Sequence, residues 1–393
     1  MPAWSGWSPP TQRRLSTCTV SDLRSVARRR LPRFAFDYLD GAAGEELTDA
    51  DNRHALARLR FKPRVMTDVS RVDASVTVLG ERLSLPCVIG PTGMNGVYWP
   101  RAEEHLAAAA SRAGVPFALS TASTSLIEDV RAASAGPLWM QLYVQQDRRI
   151  GEDIMRRARD AGFRVLVLTV DVPVTGHRER DRRNGLSLPI RITPSLLGDV
   201  FLRPAWAWRM AVHGRPALVN MVARQGAASF GSAAIGAPAI PAIDPSLAWS
   251  DLAWVRKHWP GPIVLKGIQC VEDARLAVEH GVDGIVVSNH GGRQLDGVPA
   301  SATLLEAVVQ AVGSTTQVLV DGGFRTGADI ARALALGARA VLLGRAPLYG
   351  LGAAGPAGVV HVMRLLQEQL ETTLRLLGCT SAASLGRQHL VEG

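Results

Sequence analysis

One stretch of the chain, SNHGGRQLDG at residues 288–297, carries residue types that can perform acid–base chemistry on a small anion. His290 can accept a proton near neutral pH, and Arg293 can hold a carboxylate through two parallel hydrogen bonds. The two glycines between them add almost no bulk, so both side chains can approach one small ligand. The pattern indicates proton removal from a carbon or hydroxyl adjacent to a carboxylate. The alternative is a purely structural histidine.

Two further stretches, DGGFRTG at 321–327 and LGRAPLYG at 343–350, combine glycines with arginine. Glycine amides and guanidinium groups together are typical of phosphate sites. The residues that suit this role are Gly322, Gly323, Gly344, Arg325 and Arg345. Asp321 fits better as an acceptor for polyol hydroxyls, which points to a phosphorylated polyol such as flavin mononucleotide (FMN). The alternative is that these glycines form turns and the arginines are solvated.

Lysine is rare in this chain, with three residues (Lys62, Lys257 and Lys266) among 44 basic side chains. Lys266 closes the apolar run PIVLKG, where a compact cation can lie near a delocalised anion. It can serve the edge of a reduced flavin or form a Schiff base. A structural salt bridge is the third possibility.

The elements that must position these residues are eight short apolar runs separated by helical stretches. They begin near residues 87, 116, 138, 165, 262, 284, 317 and 340. Continuous apolar runs alternating with helices predict a parallel sheet buried on both faces, and eight of them predict a (β/α)8 TIM barrel. An open doubly wound sheet is less favoured, because GPTGMNG after the first run lacks the GxGxxG spacing.

The predicted domain organisation is a single domain over residues 1–393. It comprises an N-terminal helical extension (1–85), the barrel (86–385) and a long insertion after the fourth strand (176–248). Chemistry in such barrels occurs where strands end at their C-terminal face. The strand-end residues are Thr92, Gly93, Ser120, Thr121, Gln141, Tyr143, Thr169, Asp171, Lys266, Ser288, Asn289, His290, Arg293, Asp321, Gly322, Gly323, Arg325, Gly344 and Arg345. Among them, Asp171 can orient the imidazole of His290.

The composition narrows the function classes. A hydrophobic fraction of 47% with 20% charged residues excludes a mainly disordered chain. The net charge of +9 is local: residues 1–36 carry seven Arg against one acid, and residues 176–225 carry nine Arg against three acids. We therefore expect no nucleic-acid binding by the body of the protein. Four widely spaced cysteines and the absence of a secretory signal favour a cytoplasmic location, and no metal site is expected.

The insertion mixes apolar and aromatic residues with arginine in RITPSLLGDVFLRPAWAWRMAVHGRPALVNMV. No apolar run is long enough for a transmembrane helix. The composition is typical of an interfacial element, so peripheral attachment to the inner face of the cell membrane is one hypothesis. A lid over the active site is the other. The following GAASFGSAAIGAPAIPA (226–242) is interpreted as a flexible tether.

Several segments together resemble the FMN-dependent α-hydroxy acid dehydrogenase/oxidase family. They are FDYLDGAAGEE, QLYV, LTVDVP, VLKG, SNHGGRQLDG, DGGFRTGADI and ALALGARAVLLGRA, in the expected order from about residue 20 to 385. IGPTGMNG, WPRAE, LSTAS and LYGL most resemble the bacterial (S)-mandelate dehydrogenase branch, in which a segment at the position of the insertion attaches to the membrane. The resemblance implies oxidation of an (S)-2-hydroxy acid to the 2-oxo acid with FMN, in a homotetramer.

The resemblance also implies individual roles. His290 would be the base, paired with Asp171, and Tyr143 would bind the substrate oxygen. Tyr38 and Arg293 would hold the substrate carboxylate, with Arg178 as a further cation. The isoalloxazine contacts would be Ser120, Gln141, Thr169 and Lys266, and the ribityl phosphate contacts Asp321, Gly323, Arg325, Gly344 and Arg345. Whether the α-hydrogen leaves as a proton or as a hydride stays open.

Two small residues bear on specificity. Ala122 stands where glycolate oxidase has a Trp, which favours an aryl, mandelate-like substrate over glycolate or lactate. Gly93 stands where typical oxidases of the family have Ala, which favours an acceptor other than oxygen, such as a quinone or another membrane carrier. The alternatives are an oxygen-using oxidase of the same family, another FMN- or phosphate-binding barrel enzyme, and a catalytically silent flavin-binding or membrane scaffold.

Overall fold

A closed barrel of eight parallel strands forms the centre of the protein. The structure is a computed structural model that describes residues 17–185, 194–214, 216–221 and 242–391. The barrel strands within these ranges are β3 (Cys87–Ile89), β4 (Phe117–Ser120), β5 (Leu138–Leu142), β6 (Val165–Thr169), β7 (Ile263–Ile268), β8 (Gly284–Val287), β9 (Gln317–Val320) and β10 (Val341–Leu343). They follow chain order, and β10 pairs with β3 to close the barrel. The predicted barrel and its strand positions are confirmed.

The helices lie around this barrel and between its strands. Within the described ranges they are α1 (Val20–Arg30), α2 (Arg33–Asp40), α3 (Leu47–Arg58), α4 (Ala102–Arg112), α5 (Ile127–Ala133), α6 (Arg148–Asp160), α7 (Glu179–Arg183), α8 (Pro194–Phe201), α9 (Pro204–His213), α10 (Leu252–His258), α11 (Val271–Glu279), α12 (Ser301–Val312), α13 (Gly327–Ala335), α14 (Arg345–Ala354) and α15 (Pro356–Leu376). The strands are buried on both faces because helices cover the outside and side chains fill the inside.

The N-terminal extension contains an element that the sequence pattern did not indicate. After α1–α3 comes a short antiparallel hairpin, β1 (Val76–Val78) and β2 (Glu81–Leu83). Val78 and Leu83 are fully buried and pack in one cluster with inward-facing barrel residues such as Trp139. The backbone N–H of Leu79 donates to the side chain of Gln317 at the start of β9. The hairpin therefore plugs the N-terminal end of the barrel and leaves the C-terminal end for the site.

The insertion lies between β6 and β7 and includes α7–α9. Its helices are fastened to the body by polar contacts: Trp206 Nε1 donates to the carbonyl of Val97 at 2.8 Å, and Arg203 Nε donates to the carbonyl of Leu31 at 3.2 Å. Within the described residues, no helix is both long and apolar enough to cross a bilayer. The tether hypothesis for residues 226–242 falls outside the described residues, except for Ala242.

Candidate active site

A cavity of about 770 Å³ opens at the C-terminal end of the barrel. Most of the residues singled out from the sequence line it: Tyr38, Thr92, Gly93, Ser120, Ala122, Tyr143, Arg178, Lys266, His290, Arg293, Asp321, Gly322, Gly323, Arg325, Gly344 and Arg345. They come from the extension, the insertion and the ends of the strands. Four others lie behind this lining: Gln141, Asp171 and Ser288 hydrogen-bond to lining residues, and Thr169 hydrogen-bonds to Gln141.

His290 is held between an acid and a phenol. Its Nδ1 lies 3.1 and 3.2 Å from the two carboxylate oxygens of Asp171, and its Nε2 lies 3.4 Å from the hydroxyl of Tyr143. Asp171 comes close because Gly267, at φ +115, has no side chain: a Cβ there would lie 2.6 Å from the Cβ of Asp171. The imidazole therefore presents Nε2, the nitrogen away from the acid, to the cavity.

The backbone at His290 is in the left-handed region, with φ 58, and Gly291 and Gly292 continue it at φ 62 and 73. A positive φ is costly for a residue with a Cβ, and such strain is concentrated at functional sites. The N–H of His290 donates to the hydroxyl of Ser288 at 3.0 Å, which supports this conformation. A Cβ on Gly292 would lie 2.7 Å from the backbone nitrogen of Asp49, so glycine lets α3 approach the loop.

The electrostatics of the pair favour a neutral base beside a charged acid. Burial lowers the pKa of His290, and Lys266 lowers it further, while Asp171 opposes both; the result lies below the ordinary histidine value. Burial acts to raise the pKa of Asp171, but His290 and Lys266 outweigh it and the pKa is lowered. Burial raises the pKa of Tyr143 to about 12, so its phenol stays protonated and can donate.

A cluster of cations lies beside this pair. Burial, with Arg178 and Arg345 nearby, lowers the pKa of Arg293 to about 10. Its Nη1 donates to the carbonyl of Gly41 at 2.7 Å, and its guanidinium lies 5.1 Å from the ring centroid of Tyr38. A half-buried guanidinium whose pKa is lowered by other cations is a favourable place for an anion.

Lys266 lies deeper in the same cavity. Its Nζ is 3.0 Å from Oδ2 of Asp321 and donates to the hydroxyl of Ser288 at 2.9 Å. Burial acts against its charge, but Asp321 and Asp171 outweigh burial and the pKa is raised. A raised pKa disfavours the Schiff-base alternative, which needs a neutral amine. Oδ1 of Asp321 is buried without a hydrogen-bond partner, which leaves one acceptor for a ligand hydroxyl.

Several of the residues predicted to bind phosphate also have a structural role. Cβ atoms on Gly322 and Gly323 would lie 2.9 and 2.8 Å from oxygens of Asn52, so these glycines also allow α3 to approach. Arg345 donates to the carbonyls of Leu39, Gly41 and Gly291 and pairs with Asp49 at 2.9 Å. It therefore fastens the extension to the barrel mouth. A Cβ on Gly344, immediately before α14, would meet nothing within 4 Å.

A chain of hydrogen bonds runs behind the cavity wall. Ser120 Oγ donates to Oε1 of Gln141 at 3.0 Å, and Nε2 of Gln141 donates to Thr169 Oγ1 at 3.0 Å. The amide orientation of Gln141 is thereby set by its neighbours on both sides. Asn289 forms a reciprocal pair of 2.9 Å hydrogen bonds with Asn52, which ties the His290 loop to α3.

Sequence reasoning missed other residues that line the cavity: Tyr98, Asp181, Leu218, Met221 and Ile243. Tyr98 is buried and its ring stacks on Tyr38 with centroids 6.4 Å apart. Asp181 lies in the turn of helix after Arg178, and burial raises its pKa. Leu218 and Met221 belong to the insertion, where no periodic pattern marks them. Of these five residues, only Asp181 could have been identified from the sequence, because it lies three residues after Arg178 in the same basic stretch.

Gly93 and Ala122 lie together on the cavity wall. A Cβ on Gly93 would lie 3.0 Å from the Cβ of Ala122 and 3.2 Å from its carbonyl oxygen. The N–H of Met94 also donates to that carbonyl, at 2.8 Å. The two positions are therefore coupled, because extra volume at one must be accommodated at the other.

Comparison with known proteins agrees with this geometry. The family model described as FMN-dependent dehydrogenase matches residues 27–392. An L-lactate dehydrogenase of Caulobacter vibrioides is 48% identical over 375 residues, covering 95% of this chain and 97% of the relative. The (S)-mandelate dehydrogenase of Pseudomonas putida is 43% identical, covering 94% of this chain and 93% of the relative.

Solved structures lead to the same family. A crystal structure described as the monotopic membrane protein (S)-mandelate dehydrogenase superimposes with a TM-score of 0.90 at 40% identity, covering 96% of this chain and all of that one. A mandelate oxidase structure gives a TM-score of 0.80 at 36% identity, covering 96% of this chain and 98% of that one. The family resemblance drawn from the sequence is confirmed. The relatives divide between lactate and mandelate, so similarity alone does not decide the substrate.

Proposed function

Because the chain belongs to the FMN-dependent dehydrogenase family, we propose that it oxidises an (S)-2-hydroxy acid with an aryl group on the hydroxyl-bearing carbon. The electrons pass to an acceptor other than oxygen. The observation that carries the proposal is a neutral, half-buried base, His290, beside a guanidinium, Arg293, at the wall of one cavity. This is the combination needed to bind a carboxylate and remove a proton from the neighbouring carbon or hydroxyl.

The roles of the chain's own residues follow from their positions. Arg293 and Tyr38 hold the substrate carboxylate, and Arg178 adds positive charge from the insertion side. Tyr143 donates its phenolic proton to the substrate oxygen. His290 takes the proton at Nε2, and Asp171 stabilises the imidazolium that forms. The same residues serve whether the proton comes from carbon or from the hydroxyl.

The residues at the barrel mouth suit FMN. The unpartnered Oδ1 of Asp321 suits a ribityl hydroxyl, and Arg325 with the open backbone at Gly344 suits the phosphate. Lys266, charged and buried, together with Ser120, Gln141, Thr169, Thr92 and Ser288, would hold the isoalloxazine edge. When bound, FMN supplies the two-electron oxidation that none of these side chains can perform. A charged Lys266 would favour the reduced, anionic state of the ring.

An aryl substrate is supported by the small residues on the wall. Ala122 leaves room that a larger side chain would fill, and Leu218 and Met221 add apolar surface. We expect (S)-mandelate to give a higher kcat/KM than L-lactate or glycolate in an assay with an artificial dye acceptor, and oxygen to be a poor acceptor. Since one relative is an L-lactate dehydrogenase, a higher kcat/KM for L-lactate is the result that overturns the aryl assignment.

We also propose that the insertion binds a membrane surface. Phe201 is 84% exposed and Trp208 72% exposed, and Leu202 and Val212 are exposed beside them. Arg203 lies between α8 and α9, and Arg209 lies on α9; cations beside exposed apolar residues suit anionic headgroups. The similar (S)-mandelate dehydrogenase structure is described as a monotopic membrane protein, in keeping with this proposal.

A further inference from the structure

The insertion supplies part of the active-site wall through a short segment, Pro216–Met221. Leu218 and Met221 both line the cavity, and Met221 is buried. Between them lies Asn220, which is 1% exposed and does not line the cavity. Its side chain is directed instead into the loop between β4 and α5.

Both ends of the Asn220 amide are bound. Nδ2 donates to Ser123 Oγ at 2.7 Å and to the carbonyl of Ser125 at 2.9 Å. Oδ1 accepts from Arg157 Nη2 at 3.1 Å and from the backbone N–H of Ile127 at 3.4 Å. A buried amide with two donor and two acceptor contacts has one well-defined orientation.

The loop that receives Asn220 is itself fixed. The buried carboxylate of Glu103 accepts from the backbone N–H and the hydroxyl of Thr124, at 2.9 and 2.7 Å, and from Ser125 Oγ at 3.2 Å. The same loop carries Ala122 on the cavity wall. Asn220 thus connects the apolar wall of the insertion to the loop that bears the small residue opposite the substrate.

We propose that Asn220 is a positioning residue for substrate specificity: it holds Leu218 and Met221 as the distal wall of the substrate pocket. This inference rests on the proposed function, because it concerns which 2-hydroxy acids that site accepts. A phenyl group offers such an apolar wall much more surface than the methyl group of lactate does, so the wall contributes more to binding of the larger acid. Loss of the Asn220 contacts therefore penalises large substrates selectively.

The test is the ratio of kcat/KM for (S)-mandelate to that for L-lactate, measured with a dye acceptor on FMN-loaded protein. We expect Asn220→Ala to lower this ratio about tenfold, mainly through KM, as removal of apolar pocket contacts does. Met221→Ala should lower it similarly by acting on the wall itself. Asn220→Asp keeps the acceptor towards Arg157 but cannot donate to Ser125, so it should also lower the ratio.

Two variants separate specificity from stability. Thr316→Ala removes a buried hydrogen bond to the carbonyl of Val282 at the other end of the barrel, and should lower the melting temperature without changing the ratio. Ser123→Ala removes one partner of Asn220 and should lower the ratio by a smaller factor, which keeps the test valid if Asn220→Ala folds poorly. If Asn220→Ala and Ser123→Ala behave like Thr316→Ala, the inference is wrong.

Its failure can be told from failure of the proposed function. A wild-type enzyme that prefers L-lactate overturns the aryl assignment, whatever the variants do. The role of Asn220 is judged separately, by whether its variants change the ratio between the large and the small acid from the wild-type value. If the ratio does not change in these variants, that role is wrong, whether the wild-type enzyme prefers (S)-mandelate or L-lactate.

Discussion

At the scale of single residues, His290 is prepared as a base by its surroundings. Burial and Lys266 keep the imidazole neutral, and Asp171 fixes which nitrogen faces the cavity. The motif SNHGGRQLDG identified His290 from the sequence alone. Its partner Asp171 could be inferred only because it follows the end of another strand, β6. The close approach of Asp171 to His290 depends on the absence of a side chain at Gly267.

We expect His290→Gln to retain FMN and lose reduction by substrate. Removal of a positioned general base typically costs about 10² to 10⁴ in rate. The measurement is anaerobic bleaching of the flavin absorbance after addition of a 2-hydroxy acid, with the bound FMN quantified in the same sample. Wild-type bleaching by this variant would contradict the role of His290.

The pH dependence of kcat/KM should reflect the depressed pKa of His290. Since the base must be neutral, activity rises with pH through this pKa, and the acid limb should lie below the ordinary value of 6.5. Asp171→Asn removes the group that raises the pKa of His290, so the limb should move to lower pH while kcat falls about 10²-fold or more. A limb that stays in place in this variant would show that another group controls it.

Ala122 should set the space for an aryl ring. Ala122→Leu adds volume to a wall where a Cβ on Gly93 would already be tight, so the large substrate should be excluded first. We expect kcat/KM for (S)-mandelate to fall about 10- to 200-fold while that for L-lactate changes little. Steady-state kinetics with both acids on the same preparation measures this, and an equal loss for both would indicate a general defect.

At the scale of elements, the insertion has an inner and an outer side. Trp206 is turned inward, with its Nε1 bound to Val97 and its ring 5.8 Å from that of Phe34, edge to face. Trp208, two residues on, is exposed. Only one of the two tryptophans in PAWAW is therefore available to a membrane. The lid hypothesis concerns the inner side of the insertion, and the proposed membrane contact concerns its outer side.

We expect Phe201→Ser with Trp208→Ser to reduce flotation with anionic liposomes at least tenfold, because burial of each large apolar side chain contributes about 1.5–3 kcal/mol. Leu376→Ser is the matched control, since Leu376 is also 72% exposed but lies at the end of α15. Unchanged flotation of the double variant would contradict membrane binding by α8 and α9. Deletion of residues 191–225 is a poorer test, because it also removes Leu218 and Met221 from the cavity.

At the scale of the whole molecule, the site is assembled from distant parts of the chain. Arg345 on α14 binds three carbonyls and Asp49, and so joins the extension and the His290 loop at the barrel mouth. A ligand that occupies this junction should stabilise the complete fold, because it binds the folded state alone.

We expect FMN added to the FMN-free protein to raise the melting temperature by about 3–8 °C, because saturation at about 100 times Kd contributes roughly 2.7 kcal/mol. Differential scanning fluorimetry with FMN and with riboflavin measures the shift. Riboflavin lacks the phosphate and should give a smaller shift, and Arg325→Ala should reduce the difference between the two. Equal shifts with both ligands would contradict the phosphate site.

The sequence by itself determined the barrel, because strands buried on both faces must be continuous apolar runs, and it identified His290 and Arg293, because their pairing is local. It did not reveal the plug formed by β1 and β2, whose three-residue strands are too short for a period to show. Only the tertiary structure decided that Asp321 pairs with Lys266, and that Gly322 and Gly323 make room for Asn52. It also placed Leu218 and Met221 on the cavity wall, with Asn220 buried between them. These contacts join residues far apart in the chain, and their geometry exists only once the barrel has closed and the extension and insertion have packed across its mouth.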